Sequence, residues 1–217
     1  MPDISADFFT WKEKIVSKKL PSWNEIPDIG LYMDQVIRLM DDYLSAFESE
    51  ESDDKLITPS MINNYVKMGI IPAPDKKKYN RLHVALLIVV CVLKQIMSIA
   101  DIKIILDKKL EATPPDVCYN NFRDVVNESA ISVFSIVEEL TGGIDKFVES
   151  EDLIDISILV AIFSNVGKSI SKKIVSLESA ADAALKKNEL SEKADEKRTD
   201  KKAEKKKEKS REKDEKK

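Results

Sequence analysis

Apolar residues recur at three- and four-residue spacing along most of this chain, and the elements they outline are helices. Residues 4 to 20 read as a first helix, with Ser5 as a cap and Phe8, Trp11, Ile15 and Val16 along one side. Pro21 to Pro27 is a connector whose Trp23 is placed to plug into a core. Asp28 to Phe47 is strongly amphipathic, with Leu31, Val36, Leu39, Met40, Tyr43 and Leu44 near the helical period. Asn80 then caps a helix from Arg81 to about Gln95, and its stretch from Val84 to Leu93 is apolar on every side. Such a stretch calls for burial all round, by neighbouring helices or by a second subunit. Ser98-Ile99-Ala100-Asp101 reads as a capping box with Asp in place of Glu, opening a helix to about Leu110.

Thr113-Pro114-Pro115 marks a break. Beyond it the pattern predicts helices near 116–127 and 128–140, a turn at Gly142-Gly143, and a long helix from Asp152 to about Lys187. In the last of these Leu159, Phe163, Val166, Ile170, Ile174, Leu177, Ala181 and Leu185 recur every three to four residues. That pattern suits a dimer seam, a helical hairpin or packing within one chain.

The most informative stretch is Thr58 to Lys78. Thr58 is a good N-cap and Pro59 suits the first helical position, so a short helix over 58–68 is expected. Met61, Ile62, Tyr65 and Val66 form its apolar face, while Ser60, Asn63, Asn64 and Lys67 share the opposite one. Gly69 supplies the left-handed residue that stops the helix, and Ile70, Ile71 and Pro72 turn the chain back to a core. Asparagine is a poor helix former, so two in succession are not there for helicity alone. Its amide can pair with adenine in a major groove, and serine and lysine reach phosphates. An ordinary solvated face would look the same. A basic run, Lys76-Lys77-Lys78, follows.

Three blocks carry a family resemblance: Ile62 to Pro72, Tyr79-Asn80-Arg81, and Ser98-Ile99-Ala100-Asp101-Ile102. In order and spacing they resemble the DNA-binding domain of the mercury-resistance-regulator (MerR) type. That resemblance implies a helix-turn-helix with a basic wing, and it places Tyr65 on a tyrosine that contacts the DNA backbone. Asn63 and Asn64 replace that family's arginine and first tyrosine, so operator preference does not carry over. The wing, Ala73 to Lys78, is short. With Leu20-Pro21-Ser22-Trp23 and Asp28 to Gln35 upstream, the sequence is similar to the bacterial family called domain of unknown function 1836, which implies a domain type and no activity.

Charge changes the picture in two places. Residues 191–217 hold 13 basic and 9 acidic side chains, leaving 22 and 30 for the rest, so an acidic body precedes a basic tail. The tail has no apolar residue beyond two alanines and is expected to be disordered, although Lys201, Lys205, Lys209 and Lys213 would line up on a helix. Glu48 to Lys55 is acid-rich and longer than the turn of a tight helix-turn-helix, and it has to point away from any phosphate.

Candidate chemistry elsewhere fails on spacing. Gly167-Lys168-Ser169 imitates the end of a phosphate-binding loop, but position 162 is isoleucine and no strand precedes it. His83, the only histidine, has no partnering nucleophile and is expected near the surface or near phosphate. Cys91 and Cys118 form neither a disulfide framework nor a metal spacing, and Cys118 is expected to be structural. Glu138 and Glu139 are adjacent on a helix and splay apart. No enzyme chemistry, cofactor or metal is expected. No signal peptide is visible, and the longest unbroken apolar run is about half a bilayer span, so no membrane segment and a cytoplasmic location are expected.

The expectation is an all-α protein: residues 1–112 as N-terminal helices and a MerR-like, winged or wing-truncated helix-turn-helix unit, 113–190 as a C-terminal helical and dimerising unit, and 191–217 as a charged tail. The expected function is a homodimeric transcriptional regulator that reads double-stranded DNA in the major groove. Asn63 and Asn64 would read bases, with Thr58, Ser60, Tyr65 and Lys67 holding the helix on the backbone. Lys76, Lys77, Lys78, Tyr79 and Arg81 would serve the flanking phosphates. The alternative is a helical module that keeps the fold and binds protein. The sequence names no small-molecule effector.

Overall fold

The computed structural model describes residues 4–45, 47, 55–141 and 153–214. Every regular element among them is helical: α1 (Ile4–Ser17), a 3-10 turn (Trp23–Glu25), α2 (Met33–Leu44), α3 (Pro59–Lys67), α4 (Arg81–Leu93), α5 (Ile99–Ala112), α6 (Pro115–Thr141) and α7 (Leu153–Asp214). Among the described residues, strand-like pairing is limited to the isolated bridges Leu31–Tyr79 and Asp75–Lys78. The chain divides into two compact units, Met1–Ile170 and Ser171–Lys217. The acidic run from Glu48 to Asp54 and the Gly142-Gly143 turn lie outside the described residues.

The first unit is organised on α4. Asn80 accepts from the His83 amide at 3.3 Å and starts the helix. From His83 to Cys91 nine consecutive residues are then buried, so no side of this helix meets water. Val36, Met40 and Leu44 of α2 pack on it from one direction, and α6 packs on it from another. Each of these aliphatic side chains contributes about 1.5–3 kcal/mol on burial, which makes α4 the dominant source of hydrophobic stabilisation in the unit. The all-round burial that its composition demands is supplied within one chain.

The two helices expected over 116–127 and 128–140 are one continuous α6. Asn127 does not cap a second helix. Its Oδ1 accepts from the Leu20 amide at 2.8 Å, and Nδ2 donates to the Leu20 carbonyl at 3.4 Å. Asn120 accepts from the Trp23 amide at 3.0 Å, and the Tyr119 hydroxyl donates to the Pro21 carbonyl at 2.9 Å. The connector's backbone is therefore satisfied by α6, which is part of the same core as α4 and α5 rather than the start of a separate body. Burial pushes the Tyr119 hydroxyl pKa well up. Farther along α6, Val137 closes a small cluster with Phe8, Phe9, Phe134, Ile156 and Val160. Lys12 pairs with Glu138 at 2.7 Å and lies over the Phe134 ring.

α7 starts where expected and runs on as helical backbone to Asp214, through the tail expected to be disordered. Lysine and glutamate are good helix formers. Within α7, Ile154–Leu185 is long and apolar enough to cross a bilayer, and none of its most apolar 18-residue window is buried. Ser157, Ser164, Asn165 and Lys168 interrupt it, so no unbroken apolar run of that length marks it in the sequence.

Candidate functional site

α3 begins as its sequence requires. The Thr58 hydroxyl accepts from the Met61 amide at 3.3 Å, and Pro59 occupies the first turn. Its end is a Schellman motif: Gly69, at φ +66°, donates to the Val66 carbonyl at 3.0 Å, and Ile70 donates to the Tyr65 carbonyl at 3.0 Å. Ile62 and Tyr65 are buried, which fixes the rotation of the helix and leaves Ser60, Asn63, Asn64 and Lys67 exposed. These four, with Met61, line a shallow depression of about 520 Å³. α2 packs against α3, and Lys94 at the C-terminal cap of α4 donates to the Leu56 carbonyl just before α3.

The basic run is a minimal hairpin. Lys78 donates to the Asp75 carbonyl at 2.8 Å, and both central residues, Lys76 (φ 47°) and Lys77 (φ 65°), are left-handed. That is the backbone of a type I′ turn, a geometry that favours asparagine and glycine. Its base is anchored by Tyr79, which exchanges two 2.8 Å hydrogen bonds with Leu31. The segment expected to form a short wing is therefore a two-residue turn clipped to the segment before α2.

The site residues expected from the sequence separate into two groups. Ser60, Asn63, Asn64, Lys67, Lys76 and Lys77 are exposed. Tyr65 and Tyr79 are each only 4% exposed, so their rings belong to the core and, contrary to expectation, are not open to a DNA backbone or phosphate. Burial pushes the Tyr65 phenol up to about 12, and Tyr79 also rises. Arg81 is a structural clamp: its Nε donates to the Ile26 carbonyl at 2.8 Å, and its guanidinium lies over Trp23, 5.9 Å from the ring centroid. Asp28 is 3.8 Å away. A cation held by three partners and half-buried is not free to anchor a phosphate. Lys78 is exposed, but its stem lies on Gly30, where an added Cβ would come within 2.8 Å of Cδ, and its Nζ lies over the Tyr32 ring. Thr58 is half-buried and occupied by its capping role.

His83 is buried rather than surface-exposed. Its Nδ1 accepts from the Asn80 amide at 3.0 Å, its ring meets Tyr79 edge-on, and Nε2 has no hydrogen-bond partner of good geometry. Burial lowers its pKa, opposed by the nearby backbone of Ala73 and Pro72. Cys91 is buried, with its thiol pushed up to about 12, and half-buried Cys118 is raised for the same reason, so neither thiol is activated. Among the described residues no group of three or more His, Cys, Asp or Glu side chains is placed to hold a metal ion.

One basic group was not legible in the sequence. Lys103 of α5 donates to the Gly69 carbonyl at 3.0 Å and pairs with Asp107 at 3.0 Å, which puts a cation at the C-terminal end of α3. Nothing in the local sequence links position 103 to position 69. The pairing exists because α5 folds back past the Schellman turn.

Neither the curated proteins nor the solved structures contain a match to this chain. Against protein-family models, residues 21–122 match the one described as domain of unknown function (DUF1836), a span that opens at Pro21, contains α2 to α5 and closes at Phe122 on α6.

Proposed function

We propose that the chain binds double-stranded DNA through the exposed face of α3 and acts as a homodimeric transcriptional regulator of MerR-like helix-turn-helix type. The observation that carries this reading is the pair Asn63 and Asn64, exposed on a helix whose rotation is locked by Ile62 and Tyr65 and whose two ends are capped. A rigid helix with two outward amides, a serine and a lysine has the donors and acceptors that base edges and phosphates require. Lys67, Lys76 and Lys77 are the cations left for phosphate once Arg81 and Lys78 are assigned to the fold. The reading keeps the protein with DNA in the cytoplasm and needs no cofactor or catalysis.

Retention of genomic fragments by the purified full chain in a gel-shift series tests it. Six phosphate contacts per dimer give a log–log dependence on salt with a slope on the order of −5. Asn63→Ala should narrow the difference between selected and random duplexes, whereas Lys67→Ala should weaken both alike. No salt-sensitive retention of any fragment would remove the DNA reading and favour a protein-binding module, for which the exposed apolar residues of α6 and α7 are the supporting observation.

A further inference from the structure

Ile62 and Tyr65 fix the inward side of α3, and Ser60 and Lys67 mark the side opposite them. Successive residues of a helix are about 100° apart, so Asn63 and Asn64 fall on either side of that outward line. Their neighbours differ. Asn64 is flanked by two methionines, Met61 three positions before it and Met68 four positions after it. Met68 caps the helix with dihedrals still close to helical (φ −78°, ψ −4°), so it keeps the phase of α3. The sulfur of Met61 lies 3.6 Å from Lys94 Nζ and its side chain is half-buried against the core, whereas Met68 is 43% exposed. Among the described residues no hydrogen bond engages the side-chain amide of Asn64. An open amide therefore stands beside an exposed thioether, one helical turn apart.

The order of groups on a base pair picks out what fits this arrangement. Across the major groove an A·T pair presents an acceptor and a donor on adenine, then an acceptor and the methyl group on thymine. A G·C pair presents two acceptors and a donor and has no methyl. An amide takes the first two groups of the A·T pair in one bidentate contact, and an apolar side chain beside it meets the methyl. Residues four apart on a helix have Cβ atoms about 5–6 Å apart, close enough for both to rest on one base pair. α3 carries no acidic side chain, so nothing on it repels the phosphates on either side of the groove.

We propose that Asn64 and Met68 together select an A·T pair, Asn64 on the N6 and N7 edge of adenine and Met68 on the methyl of the paired thymine. The inference rests on the DNA-binding reading and adds a base identity and a contact residue to it. Duplexes selected by the purified full chain from a random pool are expected to share an A·T pair in each half-site. Two analogues that keep Watson–Crick pairing then probe that pair in gel shifts. Uracil for its thymine removes only the methyl and should weaken binding by the parent about two- to fourfold. 7-Deazaadenine for its adenine removes only the N7 acceptor and should weaken binding about three- to tenfold. Met68→Ala should bind the thymine and uracil duplexes alike while still discriminating against 7-deazaadenine, and Asn64→Ala should show the reverse. A variant that has merely lost structure would weaken every duplex and keep the parent's ratios, which overturns the assignment of that residue to the base pair. Selected duplexes that the parent retains equally well with either analogue overturn this inference and leave DNA binding standing. No retention of any duplex, random or selected, overturns the DNA-binding reading itself and this inference with it.

Discussion

The turn at Lys76-Lys77 sets the stability of the fold against its charge, and the two are separable by substitution. Both residues have positive φ, where a side chain with a Cβ costs about 1–2 kcal/mol relative to a right-handed position. Asparagine followed by glycine is the pair that this turn favours. Replacing Lys76 by Asn and Lys77 by Gly relieves strain at both positions, offset by about 0.5–1 kcal/mol for the greater freedom of glycine in the unfolded chain. The net gain should be about 1 kcal/mol. In urea, with a slope of about 2 kcal/mol per M, the unfolding midpoint should rise by about 0.5 M with no change in slope. The same double variant removes two cations from each copy. If they touch phosphate, the salt dependence of DNA binding should become shallower by about 3 to 4 units for the dimer. Lys76→Ala with Lys77→Ala is the control, because alanine keeps the strain and loses the charge. It should lose the same DNA affinity and gain no stability. A double Asn-Gly variant less stable than the parent would refute the turn assignment. One that binds DNA with an unchanged salt slope would refute the role of the two lysines.

Two further outcomes follow from the groups reassigned to the fold. Arg81→Ala breaks the bond to Ile26 and the stacking on Trp23, and should cost about 2 kcal/mol in urea unfolding while leaving the salt slope of DNA binding where it was; a change in that slope would return Arg81 to the phosphates. Because burial holds the His83 pKa below its ordinary 6.5, the unfolded chain takes up a proton at a higher pH than the folded one. The stability held by neutral His83 is therefore full above 6.5 and is lost as the pH falls through the folded value. Unfolding midpoints measured from pH 7 down to 5 should fall for the parent and fall less for His83→Gln, and parallel curves would show that His83 is not the group responsible.

Local chemistry determined the elements that have strong endpoints. Thr58 with Pro59, Gly69, Asn80 and Ser98 start and stop helices through hydrogen bonds that reach only three or four residues, so α3, α4 and α5 were legible without a structure. The outward face of α3 was legible for the same reason, since its helical period and its buried side are both local. What the sequence could not separate was a cation for phosphate from a cation for the fold. Arg81, Lys78 and Lys103 are alike in the sequence, and only the approach of Ile26, Gly30 and Gly69 decides that all three are held by backbone or ring. The same holds for Tyr65 and Tyr79, whose aromatic rings fit a groove or a core equally well until neighbouring helices close over them. Asn127 reads locally as a helix boundary, yet its amide is consumed by Leu20, more than a hundred residues earlier, and α6 runs through it. Periodicity and capping act over one helical turn and survive in the sequence alone. The partner of a long polar side chain is set by which distant segments the hydrophobic core brings within 3 Å, and that is decided only when α4 is buried.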